Sequence, residues 1–153
     1  MIETKVEQTW RGNIIKIQGK RVVSDSSFEV GLVVEGQAKL LCPIDYGYLA
    51  ASITTQSRDK GTELETPSPN ASKEHSFPHE VSSFKKIEKP SDEAETLVGT
   101  AVDYGPYVEF GTKYMDSQPF LRPAFDLAMG KVLTIVKKNS KFYFADYLRR
   151  PKK

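Results

Sequence analysis

Apolar positions in the first half of the chain change period several times. Between Thr4 and Trp10, Val6 and Trp10 fall on one alternation parity, and Gly12 with Asn13 offers a turn before Ile14, Ile15 and Ile17. A strand or hairpin is predicted there. From Ser24 or Asp25, either of which suits a helix cap, Val30, Val33, Val34, Ala38 and Leu41 recur at three- and four-residue spacing. That is one face of a first helix. Pro43 disfavours helical geometry at Cys42, Asp45 suits a side-chain-capped turn, and Gly47 tolerates positive φ, so the helix ends there. Leu49, Ala51, Ile53 and Thr55 then alternate with Ala50, Ser52 and Thr54, the period of a half-buried strand over 49–57.

Residues 58–95 carry Pro67, Pro69, Pro78 and Pro90 among Ser, Lys and Glu, with Phe77, Val81, Phe84 and Ile87 as the main apolar anchors. This reads as a long polar loop, functional or mobile, whose flanking strands pair as a hairpin stem. Order is predicted again from Leu97 to Val102 as a strand including Gly99. Asp103 then caps a short helix that tolerates Pro106 in its first turn and stops at Gly111. Beyond Pro119 the positions Leu121, Phe125, Ala128, Val132 and Ile135 step by four, three, four and three, a helix to about Lys138 whose apolar stripe should dock on the sheet. The segment KFYFADYLRRPKK mixes aromatic and basic residues and suits a helix extension or an edge strand equally. The expected fold is α+β, one domain over 1–153, with a small, mostly antiparallel sheet against a long helix and a C-terminal helix.

With 153 residues, a core of useful size is available. Lys and Arg number 22 against 20 Asp and Glu, a net charge of +2, so bulk charge does not announce a nucleic-acid partner. One cysteine, Cys42, excludes an internal disulfide framework, and the N-terminus lacks the pattern of a secretory signal. The sequon at Asn70 therefore has no expected use, and no apolar run approaches the about 20 residues of a membrane-spanning helix.

Three blocks carry a resemblance: AKLLCPIDYGYLAASI at 38–53, LVGTAVDYGPYVEFGT at 97–112, and QPFLRPAF at 118–125. In order and spacing they are similar to the tail-component family of long-tailed phages and prophages, which includes tail-completion, head–tail joining and minor tail protein Z-like members. The likeness covers most of 28–138 outside the loop. Tyr46, Gly105 and the length of the loop depart from the usual pattern. The resemblance implies a structural virion protein and not an enzyme: a homo-oligomeric ring, sixfold, at the head-proximal end of the tail. One face would meet a tail terminator or tail tube protein and the other a head connector or stopper protein. The chain would assemble in the host bacterial cytoplasm and need no cofactor, metal or membrane.

Chemical alternatives are weaker. Gly99, Gly105 and Gly111 are evenly spaced, but no Gly-Lys-Ser/Thr follows, so they suit turns and a helix stop better than a phosphate loop. His75 and His79 suit a metal only on a helix, which Pro78 opposes. Cys42 has no basic neighbourhood in sequence and reads as a small buried hydrophobe. Asp103 and Glu109 have the residue types of an acid–base pair, yet a helix cap and a partner for Arg122 explain them more simply.

A closed ring needs two different complementary patches on each subunit. The turn residues Pro43, Asp45, Gly47, Gly99 and Gly111 shape the fold. The candidate subunit contacts are Tyr104, Tyr107, Glu109, Phe110, Thr112, Phe120 and Arg122, with Phe144 and Tyr147 near the C-terminus. The competing class is a nucleic-acid-binding accessory protein using Lys137, Lys138, Lys141, Arg149, Arg150, Lys152 and Lys153 beside aromatic residues; a ring could also touch genomic DNA without reading sequence.

Overall fold

A computed structural model describes residues 12–43, 47–63 and 88–149, with side chains described as far as residue 145. Helix α1 runs Gly12–Leu41. Its buried positions, Val22, Ser26, Gly31, Val34, Glu35 and Ala38, step at helical intervals and place one face inward. Ile14, Ile15 and Ile17 belong to this helix and are exposed, which corrects the second part of the expected hairpin; its first part, Thr4 to Trp10, lies outside the described residues. Ser24 and Asp25 lie inside it and cap nothing. Asp25 instead pairs with Lys60 and Tyr143, side chains distant in sequence.

The helix stops where Pro43 requires it, and Gly47 takes φ +77 at the start of α2, Tyr48–Ser52. Asp45 lies outside the described residues. The alternation from Leu49 to Ser52 is therefore one short helical turn, and the strand proper, β1, is Ile53–Ser57. It pairs antiparallel with β2, Thr96–Thr100, in the register Ile53↔Thr100 to Ser57↔Thr96. The expected hairpin stem thus forms. Of the loop between the strands, residues 64–87 lie outside the described residues, with His75, His79, Phe77, Val81, Phe84 and Ile87 among them. Gly99 sits within β2 opposite Thr54 and makes no turn.

Helix α3 spans Gly105–Phe110, α4 Leu121–Met129 and α5 Val132–Arg149. The expected second helix is thus two, broken at Gly130–Lys131, and the C-terminal segment takes its helical alternative. Helix α1 packs against the hairpin and against both α4 and α5. Val34, Ala38 and Cys42 form one core with Leu49, Ile53, Phe120, Ala124 and Ala128, so the arrangement is α+β with the long helix central.

Of the expected stripe, Ala128 on α4 and Ile135 on α5 are buried, but Phe125 is not. Small residues Ala124 and Ala128 are buried on α4 and let the helices approach closely, whereas Phe125 is 51% exposed. Gly31 serves the same end on α1: a Cβ there would come within 2.7 Å of the Thr55 and Thr96 methyls, and Thr55 Oγ1 donates to the Gly31 carbonyl at 3.1 Å.

Candidate functional site

Two of the three sequence blocks meet at the junction of α3 and α4. Gly105 lets α3 start against β2, since a Cβ there would lie 2.3 Å from Thr100 Cγ2. Pro106 occupies the first turn, as its missing N–H permits. The capping position is Tyr104, with no side-chain cap bond, and Asp103 is exposed, so its expected capping role is not realised. Gly111 ends the helix at φ +75, packed against the backbone of Met115 and Ser117 where no Cβ would fit. Thr112 and Met115 then close a tight turn, and Thr112 Oγ1 accepts the Tyr114 N–H at 3.2 Å.

Glu109 ties this turn to the next helix. Its Oε2 accepts the backbone N–H groups of Phe120 at 2.7 Å and Leu121 at 2.9 Å, and its Oε1 accepts that of Arg122 at 3.0 Å. A helix leaves its first N–H groups without intrahelical partners, and here a buried carboxylate from another helix supplies them. Burial would raise the carboxyl's pKa; the three backbone bonds and the positive Arg122 outweigh it and hold it below the ordinary value. The expected partnership with Arg122 is therefore made with its main chain, not as a bidentate ion pair.

The remaining candidate contacts divide by exposure. Tyr104 is exposed, and Tyr107 and Phe110 more so at 60% and 69%. Thr112 and Arg122 are also at the surface. Phe120 has no exposure at all and is the largest fully buried side chain among the described residues, so it belongs to the core and not to a contact surface. Phe144 is half-buried, and the Tyr147 side chain lies outside the described residues. Tyr114, 86% exposed, extends the aromatic surface and was missed because no periodicity marks a side chain in a turn.

Beside this surface runs an apolar groove of about 890 Å³. It is lined by Val22, Val23 and Val30 of α1, Thr96 and Val98 of β2, Phe110 of α3, and Phe125 with Met129 of α4. Helical periodicity exposes such residues as a stripe but does not say whether the stripe meets a core or a groove.

Polar contacts hold α5 on α1. Tyr143 donates to Asp25, and Lys60 also donates to it at 2.5 Å; Lys138 and Asn139 donate to Glu29 at 2.6 and 3.1 Å. Burial opposes ionisation of Asp25, but the bonds from Lys60 and Tyr143 prevail and lower its pKa. For Glu29 the Lys138 bond leads and lowers it. Cys42 is buried, and that burial pushes its thiol up to about 11, which keeps it protonated near neutrality.

Among the described residues, no helix is long and apolar enough to cross a membrane. The chain matches no protein-family model, no curated protein and no solved structure.

Proposed function

We propose that the chain is a structural subunit of a long-tailed phage, a tail-completion or head–tail joining protein that builds a ring at the head-proximal end of the tail. The reading rests first on the resemblance of the three sequence blocks. The observation that carries it further is the Glu109 bond set. The Val-Glu-Phe-Gly-Thr block supplies the carboxylate and the Pro-Phe-Leu-Arg-Pro-Ala block supplies the three N–H groups it accepts. The two blocks are therefore one physical unit, which gives a reason for their occurring together.

That unit turns its polar atoms inward and its aromatic rings outward. Tyr107, Phe110 and Tyr114 stand on the surface of α3 and its following turn. Large exposed aromatic side chains are costly to leave in water and are enriched at the centres of protein contacts. In a ring they form one of two unlike patches, the other belonging to a different face of the neighbouring subunit. A sixfold ring then presents one face to the tail terminator or tail tube and one to the head connector.

The test is genetic. Loss of the gene from its phage should leave unjoined heads and tails, and the wild-type chain supplied in trans should restore joined particles. Tyr107→Ala with Phe110→Ala should fold but fail to restore them. Full rescue by that double variant would remove the aromatic surface from the account.

A nucleic-acid-binding role is the second reading, favoured by exposed Lys137 and Lys141 next to Phe142, itself 73% exposed. Phosphate contacts of that kind would make binding to short DNA fall steeply with salt. Tight, salt-sensitive binding by a monomer would favour it over the ring.

A further inference from the structure

Helix α5 is held unevenly along its length. Ile135 is buried, but none of the described side chains of residues 136–145 is, and the main core draws on no described residue of α5. The contacts that hold this half against α1 are polar. Lys138 Nζ donates to Glu29 Oε1 at 2.6 Å, Asn139 Nδ2 donates to Glu29 Oε2 and Ser26 Oγ, each at 3.1 Å, and the Tyr143 hydroxyl donates to Asp25. Later residues on α5 meet earlier ones on α1, so the two helices run antiparallel there. Contacts between partly exposed groups of this kind are individually weak, and a short helical length released from its support is marginal in water.

Asp25 serves two elements at once. Its Oδ2 accepts the Tyr143 hydroxyl of α5, and its Oδ1 accepts Lys60 Nζ at 2.5 Å from the turn after β1. Lys60 is itself tethered. Its carbonyl accepts the Ser57 N–H at 2.7 Å, its own N–H goes to Ser57 Oγ at 3.1 Å, and its Nζ lies 5.7 Å from the centre of the Phe28 ring. Burial opposes the charge on Asp25, but the bonds from Lys60 and Tyr143 outweigh it, so the carboxyl is ionised near neutrality.

We propose that the half of α5 beyond Ile135 is a latch that opens from α1, and that Asp25 couples it to the 57–60 turn, where the chain leaves β1. With Lys60 in place, Oδ1 is occupied and the carboxylate is fixed with Oδ2 toward Tyr143. Without Lys60, Asp25 is free to turn to Arg21, the other cation beside it and one helical turn earlier on α1. Tyr143 then meets a mobile acceptor with a competing cation, and the latch opens more often.

Coupling of this kind is a free energy shared by both elements, so opening α5 loosens the turn by the same factor. A group that draws Lys60 off Asp25 therefore releases Tyr143 and Phe144, which the closed latch holds half-buried. The coupling is independent of the ring reading.

Amide hydrogen exchange on the full chain at neutral pH, read residue by residue, tests it. Lys60→Ala should speed the amides of residues 141–144 by at least about threefold. Tyr143→Phe should speed the Ser57 and Thr62 amides, which are bonded to Lys60 and Thr55, by a comparable factor. The double variant decides the path: once Tyr143→Phe is present, Lys60→Ala should add nothing at 141–144, because the route through Asp25 is already cut. The Ala124 and Ala128 amides of α4 should keep their wild-type rates throughout, which reports that the domain remains folded. Unchanged exchange at 141–144 in Lys60→Ala, effects that multiply in the double variant, or an equal speed-up at Ala124 and Ala128 would each overturn the proposal.

Discussion

The Glu109 carboxylate accepts the Phe120 backbone N–H at 2.7 Å, joining the last turn of one short helix to the residue that caps the next. Phe120 is in turn wholly buried, so this bond sits between the exposed aromatic surface and the core. Glu109→Ala would leave the Phe120, Leu121 and Arg122 N–H groups without their partner. Loss of the cap and of charge-assisted bonds should cost about 2–3 kcal/mol in urea unfolding, with Glu109→Gln recovering part through its one oxygen. A cost under about 0.5 kcal/mol would mean that water replaces the carboxylate.

The same group sets a pH dependence. Its folded-state pKa lies below the ordinary value of 4.5, so the stability it contributes is fully present above that value and is lost as pH falls through the folded pKa. Asp25 and Glu29, also lowered, act with the same sign. Wild-type stability should therefore fall below about pH 4.5, and Glu109→Gln should flatten part of that fall. Identical slopes for the two proteins would contradict the bond set's role.

Helix α4 offers a test of its inward face. Phe120→Ala should cost about 3–5 kcal/mol as a buried aromatic, and Ala124→Leu about 1–3 kcal/mol by overpacking against α1. Phe125→Ala should cost less than about 1.5 kcal/mol because half of the ring is already in water. The reverse order in denaturant titrations would show the helix to be rotated.

Gly31 sets two effects against each other. In a free helix Ala would be favoured over Gly by about 1 kcal/mol. Here the new Cβ would meet the methyls of Thr55 and Thr96 at 2.7 Å, and both are stiff β-branched side chains. Steric crowding should win, making Gly31→Ala destabilising, and Thr55→Ser with Thr96→Ser should relieve it. A stabilising Gly31→Ala would show that α1 does not approach the sheet this closely.

What sequence reasoning recovered follows a physical division. Breaks were legible because local chemistry determines them: Pro43 ends α1, Gly47 and Gly111 take positive φ, and the strands flanking the loop pair. That Ile14, Ile15 and Ile17 belong to α1 was not legible, since they are compatible with either period over so few residues. Asp25 resembled a helix cap because its partners, Lys60 and Tyr143, are 35 and 118 residues away. Phe125 was placed in the core because a stripe of large apolar residues normally faces inward; Ala128 and Ile135 of that stripe are buried, but Ala124 and not Phe125 completes the inward face. Glu109 stood out within its block, but its three partners are set by the turn between two helices and not by any spacing.

The most direct test of the ring account is quantitative mass spectrometry of purified particles of the phage that encodes the chain, combined with antibody labelling in the electron microscope. The account predicts about six copies per particle, the number of the proposed sixfold ring, with label confined to the head–tail junction. A chain absent from finished particles, or found only in the infected cell bound to nucleic acid, would contradict it.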